Sequence, residues 1–326
     1  MQRSGQQPFA NILETIGQTP LISLPRLFPM SNIQLYGKLE AANPGGSIKD
    51  RTAARILVHA LRQGDLKPGQ TVIESSSGNM AIGLAQACMF YGLKLIVVVD
   101  PLINSHTLKI LKTYGAEINQ VDAPHADGGY LNARLERVQE LLDQIPGSFW
   151  SNQYANRQNP LTHRQTMKEI AEALDGQLDY LFAATSTCGT LMGCAEYVKD
   201  QGLDTKIIAV DAIGSAIFGM PPQTRKIPGH GAGRPSNFLK RELVHEVIHV
   251  SDTECVSGCR RLLQSEAILC GGSSGAIVSA VEKYHPHMPE GATCAIILCD
   301  RGERYLDTIY NDQWVEEHQL NEVLSI

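Results

Sequence analysis

Lys49 lies in the stretch Asn43-Pro44-Gly45-Gly46-Ser47-Ile48-Lys49-Asp50-Arg51, a setting that changes what an ammonium group there can do. Asn-Pro disfavours helix and Gly-Gly frees the backbone. Ser47 is then the expected N-cap of an apolar-periodic segment through Ala53, Ala54, Ile56, Leu57 and Ala60. Lys49 falls in the first turn of that helix, where the positive partial charge of the N-terminus opposes a second positive charge. The same field lowers the lysine pKa and favours the neutral amine, the form that makes Schiff bases with carbonyls. On residue type alone a lysine at a helix start is also an ordinary solvated side chain, and the loops downstream separate the two readings.

Three further stretches are built from small and hydroxylic residues at a strand-to-helix connection. Ser75, Ser76, Ser77, Gly78 and Asn79 follow a β-branched strand; Ser186, Thr187, Cys188, Gly189 and Thr190 follow another; Gly272, Ser273, Ser274 and Gly275 open a later helix. In an open parallel sheet such loops lie at the carboxyl ends of the strands, where ligands bind. Free N–H groups at a helix start, helped by hydroxyls, cradle an anion. The third loop could place a hydroxyl. Each loop taken alone is also a plain capped turn. None carries Gly-Lys-Ser/Thr, and no G-x-G-x-x-G follows the first strand, so neither nucleotide motif is present. Two anion cradles and a low-pKa lysine call for a phosphorylated carbonyl cofactor and a carboxylate substrate. Pyridoxal phosphate with an amino acid meets both requirements.

The elements that must position these groups alternate along the chain. Strands are expected at 33–39, 71–74, 95–100, 117–121, 149–154, 180–185, 206–211, 244–250 and 293–298. Helices are expected from Lys49 to about Gly64, then over 80–91, 105–114, 129–145 and 160–174, from the Ser186 to Gly193 stretch to about Asp200, over 252–266 capped by Asp252, and again from the Gly271 to Gly275 stretch. Strand–helix alternation of this kind predicts an α/β fold with open parallel sheets.

The chain has 326 residues, 43% hydrophobic and 19% charged, enough for one large or two moderate α/β domains. Its net charge of −6 and the lack of a basic run give no sign of nucleic-acid binding. The opening MQRSGQQPFANILETIG lacks an apolar signal region, and the longest apolar runs are too short to span a bilayer, so a cytoplasmic protein is expected. Eight scattered cysteines form no CxxC pair; they read as reduced, mostly buried thiols, and no metal site is expected.

Taken in order, several pieces resemble the cysteine synthase group of fold type II pyridoxal-phosphate enzymes over nearly the full length. They are Ile16-Gly17-Gln18-Thr19-Pro20, the Lys49 stretch, Ser76-Ser77-Gly78-Asn79, Tyr114-Gly115-Ala116-Glu117, Gln153-Tyr154-Ala155-Asn156, Gly231-Ala232-Gly233, Ser273-Ser274-Gly275 and Gly302-Glu303-Arg304-Tyr305-Leu306. The resemblance implies a tryptophan synthase β-like fold of two open parallel-sheet α/β domains with the cofactor between them. A smaller domain, 46–155, would carry the substrate-carboxylate loop; a larger one, 1–45 with 156–326, the phosphate loop. It implies a homodimer that takes small amino-acid substrates. It implies that Lys49 holds pyridoxal 5′-phosphate covalently, that Asn79 hydrogen-bonds the cofactor's 3′-oxygen, and that Ser186, Thr187, Cys188, Gly189 and Thr190 bind its phosphate. Ser273 would meet the pyridine nitrogen, and Ser75, Ser76, Ser77, Gly78 and Asn79, with Gln153, the substrate carboxylate.

The departures from the family pattern bear on the substrate. Cysteine synthases usually read Thr-Ser-Gly-Asn-Thr-Gly where this chain has Ser76-Ser77-Gly78-Asn79-Met80-Ala81, and Gly-Thr-Gly-Gly-Thr where it has Ser186-Thr187-Cys188-Gly189-Thr190. They place an aromatic residue where it has Arg234, and the loop 125–130, followed by Arg134, also differs. Sulfide needs no arginine, whereas a dicarboxylate nucleophile does. These variations are similar to the branch that, in staphyloferrin B siderophore assembly, joins O-phospho-L-serine to L-glutamate. That product, N-(1-amino-1-carboxy-2-ethyl)-glutamate, is a precursor of 2,3-diaminopropionate. Matching positions imply Arg134, Tyr154 and Ser186 as substrate-side residues; Arg234, in a segment that departs from the sulfide-using family, is a second candidate cation. The bland alternatives are a solvated helix face for Arg134 and a core position for Tyr154. At the level of function the alternatives are a cysteine synthase using O-acetylserine or O-phosphoserine with sulfide, and a non-catalytic binding subunit on the same fold.

Overall fold

A computed structural model describes residues 8–126 and 129–320. Two sheets organise the chain. The first has six strands in the order β1 (Leu21–Ser23), β2 (Gln34–Leu39), β10 (Thr293–Leu298), β7 (Tyr180–Ala184), β8 (Lys206–Ala212) and β9 (Glu246–Val250). The second has four, ordered β5 (Glu117–Gln120), β4 (Lys94–Val99), β3 (Thr71–Ser75) and β6 (Phe149–Trp150). Every pairing is parallel except β1 with β2, so the larger sheet carries one antiparallel edge strand that the alternating pattern did not announce.

The central strands read as continuous apolar runs because both faces are covered by helices. Val97, Val98 and Val99 of β4 and Ala295, Ile296, Ile297 and Leu298 of β10 are fully buried. The helices are α1 (Lys49–Gln63), α2 (Asn79–Tyr91), α3 (Ser105–Thr113), α4 (Gly129–Gln144), α5 (Gln158–Ala173), α6 (Gly189–Gln201), α7 (Asp252–Glu266), α8 (Gly272–Tyr284) and α9 (Asp312–Glu317). Helix α2 is buried from Met80 to Cys88, as expected of a segment apolar nearly all round. The fold is α/β with two sheets of parallel strands, as the strand–helix alternation predicts.

Four local expectations are corrected. Ser251, not Asp252, caps α7, in a reciprocal box with Glu254. The strand expected over 149–154 stops at Trp150, because Ser151 and the backbone of Gln153 turn to bond the buried Glu74 carboxylate. Ile48 rather than Ser47 takes the cap position of α1, although the Ser47 hydroxyl still accepts the Lys49 N–H at 3.2 Å. The Gly272 loop follows helix α7, not a strand, through a short segment in which Cys270 bridges to Arg301.

Helix α1 is held from below by a buried ionic cluster. Arg51 bonds Glu40 and Glu169, each at 2.7 Å, and Lys38 also reaches Glu169 at 2.7 Å. The cluster joins β2, α1 and α5, and so fixes the turn that presents Lys49.

Candidate active site

The carboxyl ends of β3, β6, β7 and β10 converge on one cleft, the expected ligand position for parallel sheets. A cavity of about 230 Å³ is lined there by Lys49, all of Ser75 to Asn79, Arg134, Gln153, Tyr154 and Ser186. Residues from α1, the β3–α2 loop, α4, the segment after β6 and the β7–α6 loop thus meet at one point.

Lys49 is half-buried in this cleft and its pKa is lowered, first by desolvation. The neighbouring thiols of Cys299 and Cys188 would oppose that shift only as thiolates. Burial pushes both up to about 12, so at neutral pH they are uncharged and desolvation prevails. The direction expected for Lys49 therefore holds, while the cause is burial before any helix field.

Each loop uses its own side chains to fix its backbone. In the β3–α2 loop, Ser76 Oγ accepts the N–H groups of Gly78 and Ala81 at 3.4 and 3.3 Å. The buried Ser75 hydroxyl has no partner among the described residues. Glu74, fully enclosed, accepts from Ser75 N, Ser151 Oγ and Gln153 N, which ties this loop to the segment carrying Gln153 and Tyr154. In the β7–α6 loop, Thr187 Oγ1 accepts from Asn159 Nδ2 at 3.0 Å and Gly189 N at 3.2 Å. Cys188 stands in the left-handed region at φ +62°, where glycine is usual. A Cβ on Gly189 would come within 2.1 Å of Asn159 Oδ1, so α6 must start with glycine to pack here.

The other expected residues are placed as follows. Ser186 lines the cavity, Thr190 lies in the first turn of α6, and Ser273 is buried at the start of α8 beside Gly229. Arg134 enters the cleft from α4, with NH1 3.5 Å from Ser77 Oγ and Nε 3.4 Å from Asp100 Oδ2. It is thus on the cleft side of its helix, not a solvated face. Arg234 lies 4.6 Å over the Tyr154 ring, a cation–π stack at the cleft edge rather than within the cavity lining. Of the departing loop 125–130, Asp127 and Gly128 lie outside the described residues.

Sequence reasoning gave no role to Asp300, Arg304, Tyr305 or Asn104. Arg304, Tyr305 and Asn104 line the cavity, and Asp300 lies directly behind Asn79. The only signal was the Gly302 to Leu306 stretch, legible as a matching piece without a function. Among the described residues no cluster of three potential metal ligands occurs, and no helix is long and apolar enough to cross a membrane.

The residues present fit pyridoxal phosphate. Lys49 lines the cavity with its charged form disfavoured by burial, backbone N–H groups open α6 next to Ser186 on the cavity wall, and Ser273 lies beside Gly229, which also lines the cavity.

Comparison with known proteins agrees with this fit. Residues 12–300 match the family described as pyridoxal-phosphate dependent enzyme. A cysteine synthase from Entamoeba histolytica is 34% identical, with a TM-score of 0.87 over 100% of this chain and 99% of that one. An O-ureido-L-serine synthase is 30% identical, with a TM-score of 0.85 over 95% of this chain and 100% of that one. An O-acetylserine dependent cystathionine beta-synthase from Helicobacter pylori is 29% identical, with a TM-score of 0.87 over 94% of this chain and 100% of that one.

Proposed function

This chain belongs to the pyridoxal-phosphate dependent enzyme family, and from that premise we propose that it joins O-phospho-L-serine to L-glutamate by β-replacement. The coarser class, a pyridoxal-phosphate dependent β-replacement enzyme of the cysteine synthase kind, rests on the family match and on the named activities of its structural neighbours. The observation that carries the finer reading is the pair of arginines at the cleft. Arg134 reaches the Ser77 hydroxyl from one side, and Arg234 stacks on Tyr154 from the other. A sulfide nucleophile has no use for two guanidinium groups; the two carboxylates of glutamate do.

Bound pyridoxal phosphate supplies an electron sink that acidifies the α-proton of an amino acid and lets its β-substituent depart. The phosphate would lie against the N–H groups that open α6, and the ring nitrogen against the Ser273 hydroxyl. A hydroxyl, unlike a carboxylate, does not hold that nitrogen protonated, which favours loss of the β-substituent. Lys49, whose charged form is disfavoured by desolvation, accepts the α-proton. The serine carboxylate is held by the loop from Ser75 to Asn79 with Gln153, all brought together on the cavity wall. The Cβ–O bond to phosphate breaks and a Cβ–N bond to the glutamate amine forms, the amine losing one proton. The product is N-(1-amino-1-carboxy-2-ethyl)-glutamate with inorganic phosphate, a precursor of 2,3-diaminopropionate for siderophores or peptide natural products. The family resemblance carries the expectation of a homodimer working in the cytoplasm.

The test is phosphate release from O-phosphoserine with glutamate, with sulfide and with neither, together with mass analysis of the product. Glutamate should accelerate release and appear in the product. Preference for sulfide by a wide margin would make the chain a cysteine synthase, the reading that its 34% identity to one favours.

A further inference from the structure

Asp300 follows β10 and is 1% exposed, yet its charge is used at the cleft. Its Oδ2 accepts three hydrogen bonds: from Asn79 Nδ2 at 2.8 Å, Tyr305 OH at 2.6 Å and Arg304 NH2 at 3.1 Å. Arg304 NH2 also donates to Asn79 Oδ1. Its Oδ1 has no partner among the described residues.

The orientation of the Asn79 amide follows from these partners. A carboxylate only accepts and a guanidinium only donates, so Nδ2 must face Asp300 and Oδ1 must face Arg304. One N–H of Nδ2 goes to Asp300. The second has no acceptor among the described residues, and Asn79 lines the cavity. The contact also crosses between the two sheets. Asn79 opens α2 beside the four-stranded sheet, whereas Asp300 and Arg304 follow a strand of the six-stranded one. Asn104 Nδ2 adds a second crossing bond, to the Arg304 carbonyl at 2.9 Å.

A purely structural role accounts poorly for this arrangement. A buried ion pair with one unpartnered carboxylate oxygen stabilises a fold no better than apolar packing does. What the pair does do is remove the freedom of an amide that would otherwise flip.

We propose that Asp300 and Arg304 are positioning residues that fix the Asn79 amide so that its free N–H meets an anionic oxygen of the cofactor. The inference rests on the reading that Asn79 contacts pyridoxal phosphate, and extends that contact to a segment more than two hundred residues away.

The test is a double-mutant cycle on protein reconstituted with pyridoxal phosphate, using Asn79→Ala, Asp300→Asn and the double variant. The readouts are the visible absorption and circular-dichroism band of the bound cofactor and its retention on dialysis. Asp300→Asn keeps the shape but replaces an acceptor with a group that can also donate. It should displace the band in the same direction as Asn79→Ala and weaken retention about tenfold, the worth of one hydrogen bond to a charged group. The double variant should be no worse than Asn79→Ala, because Asp300 acts through Asn79. Arg304→Gln repeats the measurement if Asp300→Asn does not fold, and Arg304→Lys should recover part of the loss. Effects of Asn79 and Asp300 that simply add, or a wild-type band in Asp300→Asn, overturn the inference. A wild-type band and retention in Asn79→Ala overturn the reading of Asn79 itself.

Discussion

Across the cleft, the wall formed by the β7–α6 loop is buried from Thr187 to Gly189, while the wall formed by the tip of the β3–α2 loop, α4 and Tyr154 is half-open. Thr187, Cys188, Gly189 and Ser273 are all buried, and Thr187 has its hydroxyl engaged within its own loop. Opposite, Ser77, Gly78, Asn79, Arg134 and Tyr154 are only half-buried, and Arg134 is held by long contacts of 3.4 and 3.5 Å. A permanently held phosphate suits fixed backbone donors, which need no rearrangement once formed. Substrates that enter and leave need side chains that can be released and re-engaged at little cost.

The largest effect expected from breaking this division is at its junction. Lys49→Ala should reduce turnover at least about a thousandfold by removing the base and the covalent anchor. Borohydride should no longer fix cofactor to the chain, while non-covalent cofactor persists because the buried wall is untouched. A borohydride adduct on a lysine other than 49 in the wild type would remove the assignment.

On the buried wall, Gly189→Ala should weaken cofactor binding by about 10–100-fold, since overpacking here typically costs 1–3 kcal/mol. The methyl would be driven against Asn159, whose amide holds Thr187. Titration of apoprotein with pyridoxal phosphate measures the effect; unaltered affinity would mean that the loop can shift without losing the phosphate.

On the open wall the same titration should barely change, and the loss should appear in the second substrate. Arg134→Ala or Arg234→Ala should lower glutamate efficiency on the order of 30-fold or more, the loss of a charged hydrogen bond to ligand. Phosphate release from O-phosphoserine alone should survive much better. Equal losses in both half-reactions would assign these arginines to phosphoserine rather than to glutamate.

The smallest effect concerns the support beneath Lys49. Burial pushes the Glu169 carboxyl up, but bonds from Arg51 and Lys38 more than offset it and hold its pKa down to about 2. A depressed carboxylate contributes stability that is complete above its ordinary value of 4.5 and fades as pH falls towards 2. Glu169→Gln should therefore lower the melting temperature at neutral pH and flatten its decline over that acid window. An acid limb as steep as the wild type's would place the acid sensitivity elsewhere.

The strand–helix alternation, the position of Lys49 at a helix start and the two strand-to-helix loops were legible in the sequence. They are local: apolar runs mark buried strands, and small hydroxylic residues mark the turns where strands end. Even so, the local signal erred where a distant partner intervened, as when the buried Glu74 turned Ser151 and Gln153 out of a strand. It also could not tell that the Gly272 loop follows a helix, or that desolvation is what lowers the Lys49 pKa, since burial is a property of the packed chain. The stacking of Arg234 on Tyr154 and the approach of Arg134 to Ser77 join residues from separate elements. The orientation of Asn79 depends on Asp300 and Arg304, 221 and 225 positions away. Sequence pattern reports which face of an element is apolar. Which polar groups then meet across a cleft is decided only when the two sheets pack and bring the ends of their strands together.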